Sequence, residues 1–269
     1  MAGVGWMMAW RVISRSLGFV SMLVLAHFLM PADFGVVAVA TAVSASIDSL
    51  SRLGVRDALV RLHDERRDYY DTAFTFQIAR ALMTGLLLAG FSLFSQGVFG
   101  DSRLHGILLL MAAFAVVSGC ENIGVVSFSR ALNFRIQFWM QIAPRLTGFV
   151  VTTVLAFVLR DYHALVWGMG VSSFASVAVS YMASPHRPRF GLTGWRYLLG
   201  FSFWAWAGGL ALMVWSRADA FLLAPVLGTA AFGIYLLAGE IAMMPVTELL
   251  EPACATLTPG FALARRNGT

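Results

Sequence analysis

Not one of the 269 residues is a lysine, and only 12% are charged. A soluble chain typically carries about a quarter charged residues to keep its surface wet, so this shortage excludes a protein with water on every side. Cysteine is scarce too: Cys120 and Cys254 both sit in apolar, helix-forming context, which reads as two buried thiols. Neither stands in a metal-ligating or redox spacing, so no cofactor is expected. The stretch after the first apolar run, Met30-Pro31-Ala32-Asp33, lacks a small-residue cleavage motif, so no removable leader is expected. The absent lysine reads as coding bias, although arginine does grip phosphate in a bidentate way that lysine cannot. The net charge of +5 is therefore entirely arginine. A basic balance can signal nucleic acid, but these charges lie in short loops between apolar runs, so no nucleic-acid partner is expected.

What is present is apolar surface. Hydrophobic residues make up 59% of the chain and the mean hydropathy is +0.76, so the lipid bilayer must be part of the solvent. Eight apolar segments follow one another: Val12–Met30, Phe34–Leu53, Thr72–Phe94, Leu104–Val126, Gln141–Leu159, Ala164–Ala183, Leu198–Trp215 and Ala230–Leu250. A helix needs about 20 apolar residues to cross roughly 30 Å of hydrocarbon, and a strand only about 10 with strict alternation, so these lengths favour helices. Every backbone amide in lipid must also find its partner within its own segment.

Charge fixes the orientation. Fifteen arginines lie before or at the start of the first span, or at and after the ends of even-numbered ones; only Arg103, Arg160 and Arg217 lie on the other side, and Arg80 falls deep inside a span. Cytoplasmic loops are the ones enriched in arginine, so both termini are expected in the cytoplasm, with the chain multi-pass in a bacterial inner membrane. Seven tryptophans near span ends (Trp6, Trp10, Trp139, Trp195, Trp204, Trp206 and Trp215) suit an interfacial belt. Ser127–Phe138, which mixes arginines with apolar residues, reads either as an amphipathic connector at the interface or as an extension of the fourth helix.

An internal repeat organises the spans. Leu25–Ala40 reads LAHFLMPADFGVVAVA and Leu223–Ala238 reads LAPVLGTAAFGIYLLA, with Leu25, Ala26, Leu29, Phe34, Gly35 and Ala40 among the positions that match at a shift of 198 residues. Both copies cross a short outer turn from an odd-numbered span into the next, so the first and seventh spans are equivalent and each repeat holds six spans. The expected fold is all-α and integral to a membrane, with about eight transmembrane helices. Residues 1–190 form a six-helix lobe, and 191–269 form the first two helices of a truncated second lobe. Transporters built from repeats bind substrate between them.

SRSLGFVSMLVLAHFLMPADFGVVAVA, HALVWGMG, the HRPRF loop at His186–Phe190 and RADAFLLAPVLGTAAFGIYLLAGEIAMMP resemble the Wzx-type oligosaccharide flippases of the multidrug/oligosaccharidyl-lipid/polysaccharide exporter superfamily. The likeness runs over nearly the whole chain. It implies two six-helix lobes around a central cavity, alternating access, and no enzymatic step. The cargo it implies is an undecaprenyl-pyrophosphate-linked oligosaccharide, with a polysaccharide polymerase and glycosyltransferases as partners. Rival readings are a cation-coupled drug exporter or lipid II flippase of the same superfamily, a polytopic glycosyltransferase or polymerase, and a purely structural subunit. A drug exporter for cations should line its cavity with net acid, and a glycosyltransferase needs acidic or metal-binding loops that the short outer segments lack.

Moving a pyrophosphate through hydrocarbon unaided costs tens of kcal/mol by Born solvation, so a polar cavity must replace its water. Arginines inside spans are the expected signature, each costing about 2.5–3.5 kcal/mol at the bilayer centre on insertion scales. Arg80 is the deepest, and Gln77, Arg80 and Thr84 make one polar stripe on their helix. Glu121 lies at similar depth on the fourth span, so an Arg80–Glu121 ion pair that only holds helices together is the structural alternative. Asp48 and Arg52 suit an i,i+4 pair. Arg15 and Arg145 are either substrate contacts or interfacial anchors. Arg80, Gln77, Arg52, Arg15 and Arg145 are thus the candidate substrate-binding residues, and Asp48, Glu121 and Glu240 the candidates for ion pairing or coupling. With Arg11 added, five arginines face two acids in the inner membrane layer, an excess of three positive charges that predicts an anion-attracting vestibule.

Overall fold

The computed structural model describes residues 2–51, 55–61, 67–99, 101–131 and 133–195, with isolated positions between 204 and 246. The chain divides into two compact units, Trp10–Trp206 and a second made of Met1–Ala9 with Ala207–Thr269. The elements below belong to the first, apart from the opening residues of α1. Among the described residues every regular element is helical and there is no strand: α1 Ala2–Phe28, α2 Pro31–Ser51, α3 Val55–Arg61, α4 Arg67–Phe99, α5 Arg103–Gly119, a 3-10 turn Ile123–Val125, α6 Val126–Arg130, α7 Phe134–Leu159 and α8 His163–Ala183.

Four helices are long and apolar enough to cross a membrane, over Asp33–Ser51, Arg67–Ser95, Phe134–Leu159 and His163–Ala183; Val12–Leu25 and Arg103–Gly119 are apolar but shorter. The expected seventh and eighth spans, and with them the second copy of the repeat, lie outside the described residues. The expected fourth span, Leu104–Val126, is not one helix. It ends at Gly119, and Asn122 then caps a 3-10 turn by accepting a hydrogen bond from the Gly124 amide at 2.9 Å. The expected connector at Ser127–Phe138 is divided in the same way, between the short α6 and the first turn of α7.

Small residues set the helix spacing. In the α7–α8 pair, the Thr152 side chain sits against Gly168, and a Cβ built on Gly168 would also lie 3.2 Å from the Gly148 carbonyl. In the α4–α5 pair, Gly119 lies against the Ala81 methyl. Close backbone approach of this kind replaces the hydrophobic drive that helices lose in lipid. The central cluster joins Val37 and Ala40 of α2, Leu88 of α4, Leu104, Ile107 and Leu108 of α5, and Val166 of α8, all buried.

The two ends of the bundle differ. At one end Arg103 gathers three loops: its guanidinium bonds Asp33 at 3.1 Å and Asp101 at 2.9 Å and lies 5.8 Å from the Tyr162 ring. The opposite end carries Arg56, Arg61, Arg67, Arg130, Arg135, Arg187 and Arg189 and is called the arginine-rich end below.

Candidate functional site

α4 is 33 residues long, and Arg80 lies about 20 Å along it at 1.5 Å per residue. A guanidinium at that distance from either helix end needs a partner in the bundle. The partner is Asp48 of α2, with Nη1 to Oδ1 at 2.6 Å, the two side chains 24% and 33% exposed. This corrects the expected Arg80–Glu121 pair. The reason is the early end of α5: Glu121 lies beyond the helix, in the turn. One turn further along, Thr84 shares a buried 2.9 Å hydrogen bond with Ser51 of α2. One turn earlier, the Gln77 amide donates to the carbonyls of Gly119 at 2.9 Å and Glu121 at 2.8 Å. The polar stripe of α4 does face the interior, but it is shared out: Gln77 caps the broken end of α5, while Arg80 and Thr84 bind α2.

Two cavities open beside this pair. One of about 420 Å³ is lined by Thr41, Ser44 and Asp48 of α2, Arg80 and Thr84 of α4, and Phe114 and Met169. The other, of about 510 Å³, is lined by Glu121, Gln137, Gln141, Arg145, Ser172 and Ser176 among others. Ser118 and Ser173 belong to both walls, so the cavities adjoin there.

Of the candidate residues, Asp48, Arg80, Glu121 and Arg145 line these spaces, and Arg145 also stands 5.6 Å from the Trp10 ring. Gln77 and Arg15 line neither; Arg15 lies on an exposed stretch of α1. Arg52 and Glu240 lie outside the described residues, as does the side chain of Arg11. The described lining holds two guanidinium groups and two carboxylates; the expected excess of three positive charges also counts Arg11 and Arg52, whose side chains lie outside the described residues.

The HRPRF segment is strapped to α4 at the arginine-rich end, which the sequence did not reveal. Residues 184–194 run without regular helix across the start of α4. The Arg189 amide donates to Asp71 Oδ1 at 2.9 Å, the Gly191 amide to Thr75 Oγ1 at 3.1 Å, and the Gly194 amide to Thr72 Oγ1 at 3.2 Å. Asn122 holds the segment from the other side, its Nδ2 donating to the His186 carbonyl at 2.7 Å. The readable signals were Pro185 and Pro188, which favour extended backbone, and the Asp71, Thr72, Thr75 spacing on α4.

Burial holds the His186 imidazole below its ordinary pKa of 6.5; Asp71, 3.6 Å away, opposes that shift and Arg67 adds to it. The unfolded chain thus binds more protons than the folded one as pH falls below about 6.5, so stability is lost in that direction. Acidification from pH 7.5 to 5.5 is expected to speed proteolytic cleavage between residues 184 and 195, and His186→Gln to flatten the dependence. Equal rates at both pH values in the unaltered chain would refute the assignment.

The profile of the family described as "Polysaccharide biosynthesis protein" matches residues 24–269. The succinoglycan biosynthesis transport protein ExoT of Rhizobium meliloti (strain 1021) is 26% identical over 261 residues, 96% of this chain and 53% of the relative. The lipopolysaccharide biosynthesis protein WzxC of Escherichia coli (strain K12) is 23% identical over 266 residues, 97% of this chain and 54% of the relative. An uncharacterised membrane protein in the cps region of Klebsiella pneumoniae is 22% identical over 251 residues, 91% of this chain and 52% of the relative. The chain thus spans about half the length of the curated relatives it matches. No solved structure matches it.

Proposed function

This chain belongs to the polysaccharide biosynthesis protein family, as a bacterial membrane protein, and from that footing we propose that it flips lipid-linked oligosaccharide across the cytoplasmic membrane by alternating access. The cargo in this reading is an undecaprenyl-pyrophosphate-linked glycan. The arginine-rich end faces the cytoplasm, both termini lie on that side, and glycosyltransferases and a polymerase act before and after transport.

One observation carries the reading: the Arg80–Asp48 pair spans two helices with one side on a polar cavity rather than in the packed core. A pair that merely joined helices gains most when sealed from water, whereas one left half-open holds a guanidinium ready for exchange. An arriving pyrophosphate competes with Asp48 for Arg80 and offers more oxygens to its fork of donors. The displaced carboxylate returns to Arg80 when the cargo leaves, which ties binding to the α2–α4 contact without any bond being cut. Asp48 is thereby the coupling residue, and Glu121 and Arg145 set the polar path from the arginine-rich end.

The balanced lining does not by itself repel a cationic drug, so the deciding experiment offers both cargoes. Full-length protein in liposomes is expected to move a fluorescent pyrophosphate-linked oligosaccharide between leaflets and to leave a cationic dye in place. Dye transport without glycan transport overturns the reading.

A further inference from the structure

We propose that the larger cavity, between the arginine-rich end and the Arg80 chamber, is a glycan subsite of its own, taking neutral sugar rings through their free hydroxyls. The inference rests on the flippase reading and adds to it a second position with different chemistry from the phosphate-binding one.

The two chambers are built from different groups. Around Arg80 the wall is one ion pair with the hydroxyls of Thr41, Ser44 and Thr84 beside the apolar Met111, Phe114 and Met169, and it holds no amide side chain, a place for one compact anion. The larger chamber presents amides and hydroxyls: Gln137 and Gln141 at i,i+4 on α7, and Ser172 and Ser176 at i,i+4 on α8. Residues at that spacing share a helix face. Ser172 lies beside Gly148 of the antiparallel α7, so the glutamines continue the row toward the arginine-rich end and the serines lead inward. At the junction, the Ser118 and Ser173 hydroxyls donate to the Ala115 carbonyl at 2.8 Å and the Met169 carbonyl at 3.1 Å, which leaves their oxygens as acceptors.

Amides and hydroxyls each donate and accept, as sugar hydroxyls do, whereas carboxylates only accept and guanidinium groups only donate. Glu121 and Arg145 are the charged members of this wall and are opposite in sign, so the chamber favours a neutral ligand over either ion. Its volume of about 510 Å³ falls within the range of roughly 300–1,000 Å³ usual for small-ligand sites, enough for a short stretch of glycan. Among the described residues, Gln141, Ser172 and Ser176 make no side-chain hydrogen bond to the protein. Three polar groups on two helices therefore face the chamber with capacity unspent, which suits exchange with a hydroxyl-rich ligand.

The test compares two probes on the full chain in lipid nanodiscs: undecaprenyl pyrophosphate, and the same lipid bearing a neutral trisaccharide. The unaltered chain is expected to bind the trisaccharide lipid at least about tenfold more tightly, because a site built to bond hydroxyls discriminates strongly against a ligand lacking them. The double variant Gln141→Met, Ser176→Ala is expected to lose that preference while its affinity for the bare lipid stays within about twofold. Should that variant not fold, the unaltered chain is offered a trisaccharide lipid with its hydroxyls replaced by hydrogen, and affinity is expected to fall to the bare-lipid value. Equal affinity of the unaltered chain for both probes overturns the subsite and leaves the flippase reading standing, as does a double variant that keeps the preference. Failure of the unaltered chain to bind either lipid overturns both.

Discussion

Arg80→Ala is expected to lower export of lipid-linked glycan at least about 100-fold, close to 2.7 kcal/mol in the transport barrier, with the chain still inserted in the membrane. Two effects are mixed in that substitution and must be parted. Removing the guanidinium takes away the cationic contact for pyrophosphate, and it also breaks the 2.6 Å bond that ties Asp48 of α2 to α4. Stranding one member of a fully buried pair costs about 3–5 kcal/mol, but here both side chains keep contact with the cavity, so the stability loss is smaller. The double variant Arg80→Leu, Asp48→Leu removes both charges of the pair together. If the pair only holds α2 to α4, the double variant recovers both melting temperature and export. If Arg80 binds cargo, the double variant recovers the melting temperature and export stays lost. Arg80→Lys keeps a charge but loses the bidentate fork, so it falls between the alanine variant and the unaltered chain. Normal export by Arg80→Ala, measured at equal protein level, removes the basis of the proposal.

The ranking of Arg80 as the deepest arginine needed only its position in a long apolar run, and that much was legible. Its partner was not. A single sequence gives each residue a depth along its own helix but says nothing of which helix stands next to it, and Asp48 and Glu121 are both acids at comparable depth. The choice was made by the break at Gly119, where contact with Ala81 and the Gln77 bonds end α5 early; the polar pair Glu121-Asn122 marks the place, but the apolar run resumes at Ile123–Val126, so a span-length average passes over it. Helix ends were misjudged for a related reason. α4 begins at Arg67 and α7 at Phe134, several residues before their apolar windows, because a helix can continue through polar turns at an interface where backbone bonding still favours it. The apolar stretch of α8 was located to within a residue, since Tyr162 and Ser184 bracket it with sharp polar punctuation. What depth along one helix cannot supply is azimuth: Arg15 is exposed on α1 and lines neither of the two cavities.

Asn122→Ala should cause the largest loss of stability of any single polar change in the described bundle. The side chain is fully buried and works in two directions at once: Oδ1 accepts from the Gly124 amide at 2.9 Å, and Nδ2 donates to the His186 carbonyl at 2.7 Å. Alanine fills neither role, so two backbone groups lose partners in a place water does not reach easily, at about 1–3 kcal/mol each. A total near 3 kcal/mol corresponds to a fall of roughly 6–12 °C in melting temperature, at about 2–4 °C per kcal/mol for a unit of this size. Ser180→Ala provides the comparison. It deprives the Asn122 amide of a 2.9 Å acceptor but leaves both side-chain bonds in place, so a single orphan is expected to cost about half as much. The two losses also differ in where they show. Because Asn122 joins the turn after α5 to the segment that follows α8, its removal should raise hydrogen exchange at the Gly124, Gly191 and Gly194 amides together, whereas Ser180→Ala should raise it at Asn122 first. An Asn122→Ala chain that melts within about 2 °C of the unaltered one and keeps Gly124 and Gly191 protected would mean that the 184–195 segment is held by α4 alone, through Asp71, Thr72 and Thr75.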